Sequence, residues 1–248
     1  VCSGEVEVTM VMCDARSSVG SAIICTGSRT QLQLQQCNAS HSKSGLEVRM
    51  GATAHVRSSH FSCNENFGLF VWQHASAETV IGPDNVIQDN QDSGAMLAAR
   101  GVLFHRNKVT GNKLFGVTVE ADPAPGFKDV EVKVEDCELS QNGWGGVQFC
   151  GGTCGVISGC CIEKNNQCGI MVGMGVEKLS ISGNRIQGNY SRQQTGIKMH
   201  GRAKVADDNK FGNNWTTREK EEEYNKTCLE FLKVNEHWLN TKRNPENL

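Results

Sequence analysis

The string SHFSCNENFGLFV, from Ser59 to Val71, recurs along this chain and sets narrow limits on its fold. Reduced to its pattern, it is a small polar residue, an apolar residue two positions on, Asn three further, Gly four further, then apolar-x-apolar. The pattern returns at Asn85, Ile87, Asn90, Gly94, Ala95 and Leu97, and at Asn107, Val109, Asn112, Gly116, Val117 and Val119. Further copies start at Cys137 and Cys160, a stretched copy starts at Asn184, and a truncated one runs Asn209, Phe211, Asn214. The glycines Gly45, Gly68, Gly94, Gly116, Gly146, Gly169 and Gly196 are 23, 26, 22, 30, 23 and 27 residues apart. Self-similarity at this spacing points to a solenoid with one coil per repeat.

Within each repeat the apolar residues alternate with polar ones, as at Val132 and Val134, Cys137 and Leu139, Val147 and Phe149. That is strand periodicity. Three short strands per coil describe a right-handed parallel β-helix, an all-β solenoid of about nine coils over residues 1–215. At about 4.8 Å per coil the rod is roughly 40 Å long. An irregular β-sandwich would also collect Asn and Gly in turns, but without fixed offsets. The asparagines at 64, 90, 112, 142, 165, 189 and 214 are expected to stack, because an amide side chain can both donate and accept in a turn buried between coils. Two weaker coils, 5–27 and 31–51, place Ser18 and Ser42 at that position. The repeat glycine is expected where the backbone needs φ > 0 or approaches its neighbour closely.

The strings NVIQDNQDSGAML and NKVTGNKLFGVTV resemble the parallel β-helix repeats of pectate lyases, alginate epimerases and carbohydrate-binding and sugar-hydrolysis domains. Similar repeats build the non-enzymatic platforms of F-box ubiquitin-ligase subunits and cytokinesis-associated Shc SH2-binding proteins. The resemblance covers roughly residues 5–215 and sits nearer to these platforms than to the lyases.

A net charge of −2 with 21% charged residues gives no field for nucleic acid, and no apolar run is long enough to cross a membrane. The chain opens inside a coil, at VEVTMVMC, and reads as a piece of something longer. Of its twelve cysteines, Cys13, Cys37, Cys137 and Cys160 stand where other coils place Asn or Ser. They read as small buried thiols of a reducing, cytoplasmic compartment, with a Cys137–Cys160 disulfide as the competing reading. Sequons occur at Asn38, Asn189, Asn214 and Asn225, two of them at ladder positions closed to a glycan.

Two stretches leave the pattern, Glu120–Lys128 with its Pro123, Pro125 and Gly126, and YSRQQ from Tyr190 to Gln194; both read as protruding loops. After Trp215 the composition changes. Thr216 and Glu219 form a capping box, and Tyr224, Cys228, Phe231, Leu232, Asn235 and Trp238 follow helical spacing. A C-terminal α-helix over 216–240 is expected to cap the rod or to leave it for a partner, with 241–248 as a tail.

The candidate site residues come from the outward columns. Counting from each glycine, Phe70, Met96, Thr118, Gln148, Met171 and Lys198 point out of one sheet, and Trp72, Ala98, Glu120, Cys150, Gly173 and His200 point the same way. Phe70 and Trp72 are therefore expected side by side next to Met96, as a docking spot for a peptide or a stacking platform for a sugar ring, unless a loop such as His74–Glu78 covers them. A second, basic group holds His55, Arg57, His60, His105 and Arg106, with Arg49 and Arg100 farther round. It suits an acidic sugar or a phosphopeptide, or is simply a solvated face.

No set of convergent carboxylates with an Arg or Lys base emerges. Asp207 and Asp208 are adjacent and diverge on a strand. Asp122-Pro123 opens an epimerase-like string, but Ala124 and Pro125 replace its His and acid. Asp84, Asp89 and Asp92 read as solvated turns before a calcium site, and the cysteines from Cys150 to Cys168 follow the coil and not paired zinc knuckles. These readings converge on a non-catalytic interaction domain of a larger intracellular protein, with a protein or peptide partner, no cofactor, no metal, no nucleic acid and no membrane. The alternative is a carbohydrate-active β-helix: a lyase, epimerase, hydrolase or glycan binder.

Overall fold

The computed structural model describes residues 1–17, 19–121, 130–190 and 196–214. These residues form three parallel sheets of nine strands each, and every strand but the first and last of each sheet pairs with its equivalents one coil below and one coil above. Sheet A runs from Cys2–Ser3 through Leu69–Val71 and Ala95–Leu97 to Ile197–Met199. Sheet B runs from Glu7–Val11 through Thr53–Arg57 to Ala203–Val205, and sheet C from Asp14–Ala15 through His60–Ser62 to Lys210–Gly212. The chain passes A, B, C in order, making eight full turns from Cys2–Ser3 to Ile197–Met199 and two strands more. This is the right-handed parallel β-solenoid that the repeat implies. The helix read over 216–240, the tail 241–248, the loop 122–128 and Ser18 lie outside the described residues, as does most of the YSRQQ stretch.

Alternation sorts the side chains. Leu69 and Val71, Ala95 and Leu97, Val117 and Val119, Val147 and Phe149, Ile170 and Val172 point inward and are fully buried, with Phe61, Phe104 and Leu139 filling the same core from the other sheets. The residues between them face out.

Two corners carry hydrogen-bonded ladders. At the C–A corner Asn64, Asn90, Asn112, Asn142, Asn165, Asn189 and Asn214 are buried one above another. Each donates through Nδ2 to Oδ1 of the next at 2.8–3.1 Å. A second N–H of the same amide reaches back to a strand carbonyl, as Asn90 does to Phe61 O at 3.1 Å. Below Asn64 the line passes to Ser42, whose hydroxyl accepts from the backbone of Ser17, one position before the serine expected there. The glycan-accepting geometry of the sequons at Asn189 and Asn214 is absent, since both amides are enclosed.

At the B–C corner a mixed ladder runs through Cys13, Cys37, Ser59, Asn85, Asn107, Cys137, Cys160, Asn184 and Asn209. Cys137 N–H donates to Cys160 Sγ at 3.4 Å, and Cys160 N–H to Asn184 Oδ1 at 2.9 Å. The thiols thus occupy amide rungs as acceptors, and the Cys137–Cys160 disulfide is not formed; every described cysteine is free. Immediately before the rungs the backbone turns left-handed, at Ser58, Asp84, Arg106 and Asp136 on one corner and Cys63, Asp89, Gln141 and Lys164 on the other.

The repeat glycines obey the second of their two expectations. Of the seven, Gly196 alone has a positive φ (68°), while a methyl group on Gly68, Gly94, Gly116 or Gly146 would sit 2.7 Å from the carbonyl oxygen of the next glycine in line. They are glycines because successive coils touch there.

Candidate binding face on sheet A

Phe70 lies on the strand Leu69–Val71 and Trp72 directly follows it, two residues on, so both leave sheet A on its outer side. Their rings lean together into a stack, centroids 4.2 Å apart and planes 18° from parallel. Phe67, just before the repeat glycine, meets Phe70 edge-on with centroids 5.2 Å apart. Trp72 keeps 36% of its surface in solvent, and Phe70 is half-buried. The loop after Trp72 hydrogen-bonds to the coil below, Ser76 N–H to Ala52 O and His74 O from Gly51 N–H, and leaves the indole exposed.

Strand register supplies the neighbours. Phe70 lies between Glu47 and Met96, and Trp72 follows Val71, the partner of Val48, which brings Arg49 beside it. Glu47 is held on both sides: Ser21 Oγ donates to it at 2.5 Å and Arg49 Nη1 stands 3.5 Å away. Arg49 Nε is buried without a hydrogen-bond partner in the described structure. Phe70 and Trp72 therefore lie one coil away from an ion pair.

Farther along, Thr118 is buried although it faces out, and shares a 3.0 Å hydrogen bond with Ser93. Gln148 donates to Met171 Sδ at 3.6 Å. Beside them Phe115, Trp144 and Cys168 form a second small apolar cluster outside the rod's core, the two rings edge-on at 6.0 Å. Phe67, Phe115 and Cys168 all occupy the position before the repeat glycine, which the sequence reading passed over because Ser44, Ser93 and Gly145 stand there in other coils.

The acids of this face do not converge. In its two outward columns, Glu47 and Glu120 lie three coils apart, roughly 14 Å at the strand spacing. Beside Glu120 the Cys150 thiol is pushed up to about 12, first by burial and then by the glutamate's charge; the thiol is thus no nucleophile at neutral pH. Burial likewise pushes Cys168 up to about 12, partly relieved by Lys198. Among the described residues no group of three or more His, Cys, Asp or Glu side chains is arranged to hold a metal ion.

The basic residues expected as an outward group from nearby coils stand on two sheets and the corner between them. Arg57 and His55 face out of sheet B, where Arg57 Nη2 donates to Gln35 at 2.8 Å and His55 lies between Gln33 and the Glu78 carbonyl. His105 is on the same sheet, but the Gly82-Pro83 coil separates it from Arg57. His60 faces out of sheet C, aligned with Asn38 and Val86, and Arg106 sits on the corner, 3.7 Å from Asp84. The left-handed residues Ser58 and Arg106 mark where the chain turns from sheet B to sheet C, between Arg57 and His60 in one coil and just after His105 in another. That corner forms an open groove of about 520 Å³ lined by Asp84, Arg106, Lys108, Asp136 and Glu138. Its charges alternate and pair, as in Lys108–Glu138 at 3.2 Å, which leaves no field of one sign.

Two overlapping stretches, 1–121 and 76–220, match the family described as right handed beta helix region. The chain belongs to the right-handed β-helix family. Among solved structures this β-helix is similar to the periplasmic alginate epimerase AlgG, with a TM-score of 0.55, 16% identity and 67% of this chain aligned to 42% of that one. A mutant of the same enzyme gives a TM-score of 0.50 and 14% identity over 71% of this chain and 50% of that one. The A-module of the Azotobacter vinelandii mannuronan C-5 epimerase AlgE6 gives 0.37 and 14%, over 77% and 63%. No curated protein matches. This β-helix chain thus spans at most half the length of the two AlgG structures, and at such identities the likeness is one of fold.

Proposed function

We propose that this β-helix binds a carbohydrate chain along the outer face of sheet A and does not turn it over. The observation that carries the reading is the Phe70–Trp72 stack, open to solvent and extended by Phe67 and Met96. The C–H face of a pyranose packs on such rings, and its hydroxyls find donors and acceptors in Arg49 and Glu47 at the edge. AlgG, which shares this fold, is by its name an epimerase of alginate. What speaks for binding without turnover is the wide spacing of Glu47 and Glu120, since acid/base chemistry on a sugar needs its groups within reach of one bond.

The test is a fluorescence and calorimetric titration of the protein with oligosaccharides of several classes, uronate and neutral. One class is expected to bind and to perturb Trp72, and Trp72→Ala is expected to weaken it about tenfold, equal to roughly 1.4 kcal/mol. Failure of all classes to bind, or an unchanged affinity in Trp72→Ala, overturns the reading. A second reading, docking of an apolar peptide, draws on Met96, which extends the strip beyond the rings. It predicts that Met96→Lys abolishes binding while oligosaccharides fail.

A further inference from the structure

We propose that Asn142-Gly143 is a modification site that only the unfolded chain exposes: there the ladder amide of Asn142 is hydrolysed to aspartate or isoaspartate, and the chain loses its way back to the native rod. An asparagine is labile when the backbone nitrogen that follows can reach its side-chain carbonyl carbon, and glycine, with no side chain in the way, leaves that approach open. Asn142-Gly143 is the single Asn-Gly step in the sequence. Every other ladder asparagine is followed by a residue with a side chain, from Glu65 to Trp215 in one column and from Val86 to Lys210 in the other. The glycine itself is demanded by the fold. A methyl group on Gly143 would lie 2.1 Å from the Lys113 carbonyl oxygen. Close packing of two coils thus puts the most permissive residue directly after a rung of the ladder.

The folded protein holds this step inert. Asn142 is fully buried, and its Nδ2 donates to Asn165 Oδ1 at 3.0 Å and to Val109 O at 3.3 Å. Its Oδ1 accepts from the Asn112 backbone N–H at 3.1 Å and from the Asn112 side chain at 3.0 Å. Gly143 N–H donates to Asn112 O at 2.8 Å. The nitrogen that would attack is tied to the coil before it, and the carbon it would attack is fixed by four hydrogen bonds in a rung closed to water. Unfolding releases all five bonds together.

The chemistry balances. In the unfolded chain hydroxide takes the Gly143 amide proton, and the nitrogen attacks Asn142 Cγ and closes a cyclic imide. The Cγ–Nδ2 bond breaks, and ammonia leaves with a proton from water. A second water opens the imide at either carbonyl, which leaves aspartate or isoaspartate. In sum one water is consumed and one ammonia released, with no change of oxidation state.

Neither product fits the rung. An aspartate places an acceptor oxygen where Nδ2 stood, facing Asn165 Oδ1 and Val109 O, so two buried donor bonds become two contacts between acceptors. An isoaspartate adds a carbon to the main chain and shifts Gly143 off its seat against Lys113. Time spent unfolded is therefore recorded at one residue, and unfolding becomes irreversible by a defined route.

The protein is unfolded in guanidinium chloride with a thiol reductant and held for increasing times at mildly alkaline and at mildly acid pH. It is then refolded by dilution, separated into folded and unfolded fractions, and mapped at Asn142 by peptide mass spectrometry. Because base starts the reaction, conversion and loss of refolding are expected to advance together in the alkaline arm and at least about tenfold more slowly in the acid arm. Folded protein in the same alkaline buffer is expected to convert at least about a hundredfold more slowly than unfolded. The refolded fraction should hold intact Asn142 and the fraction that fails to refold the converted residue. Asn142→Ser, which keeps a hydroxyl acceptor like that of Ser42, should refold to the same yield after any time in denaturant; if that variant does not fold, the sorting of the unsubstituted chains carries the test. Converted chains returning to the folded fraction as readily as intact ones, equal conversion of folded and unfolded protein, or loss of refolding ahead of conversion at Asn142 overturns the proposal.

Discussion

A single amide in this protein serves three coils. Asn90 accepts at Oδ1 from both the N–H and the side chain of Asn64, and donates to Phe61 O and to Asn112. Asn90→Ala removes all four bonds and strands buried donors above and below, a loss of about 3 kcal/mol or more. Urea denaturation is expected to show this, together with a smaller loss for Asn214→Ala at the end of the line. Equal losses at the two sites would mean that the ladder is no more than local turn chemistry. Glu163 gives a pH prediction. Burial opposes its ionisation, but the Gln187 amide, Lys164 and Arg185 outweigh that and hold the carboxyl below its ordinary value. A lowered folded-state pKa adds stability above the ordinary carboxylate value of about 4.3, and that stability is lost as pH falls through the lowered one. Glu163→Gln should therefore lower the melting temperature slightly at neutral pH and leave it little changed in acid, which flattens the profile between the two, read by thermal melts across that range.

At the scale of the strand and its corner, the glycine line is the least forgiving element. A methyl group on Gly94 would meet Val109 Cγ1 at 2.6 Å and the Gly116 carbonyl at 2.7 Å, so Gly94→Ala has to push two coils apart. The expected outcome is loss of soluble protein, or a drop of about 3 kcal/mol with exchange speeding up across Ala95–Leu97 and Phe115–Val119. This line was legible in the sequence, as were the amide rungs and the outward Phe70, Met96 and Trp72, because fixed offsets from one glycine decide which way each side chain points. The basic candidates were not legible in the same way. Between His55 and His60, and between His105 and Lys108, the chain rounds a left-handed corner whose occupants, Ser58 and Arg106, share no side-chain chemistry that would announce it. Phe67 and Phe115 went unread for a related reason, since their position holds Ser or Gly elsewhere. The mixed ladder was half-read: Cys, Ser and Asn were seen to alternate there, but thiols accepting from backbone N–H make it a second column and not a set of interruptions in the first.

As a whole the molecule is close to one-dimensional, because each coil touches only the coil before and the coil after it. Among the described strands inward residues are incompletely covered in the outermost coils, as at Met10, Val205 and Phe211, so the middle of the rod should open last. Hydrogen exchange followed by mass spectrometry is expected to be fastest in Glu7–Val11 and Ala203–Val205, intermediate in Gln31–Gln35, and slowest from Thr53–Arg57 to Cys168–Val172; uniform rates along the rod would contradict this. The amide column adds something that the sheets lack. Backbone carbonyls alternate up and down along a strand, so their dipoles cancel, but from Asn64 to Asn189 each amide aims an N–H at the following coil, and the backbone N–H to the same Oδ1 keeps it from flipping. Seven aligned amides give the rod an electrical polarity, oxygen facing the first coil and hydrogen facing the last, as stacked peptides do for a helix, with each member polarising the next. The column is therefore polar along the rod's axis, and a charge placed beside Asn64 meets a different field from one placed beside Asn189.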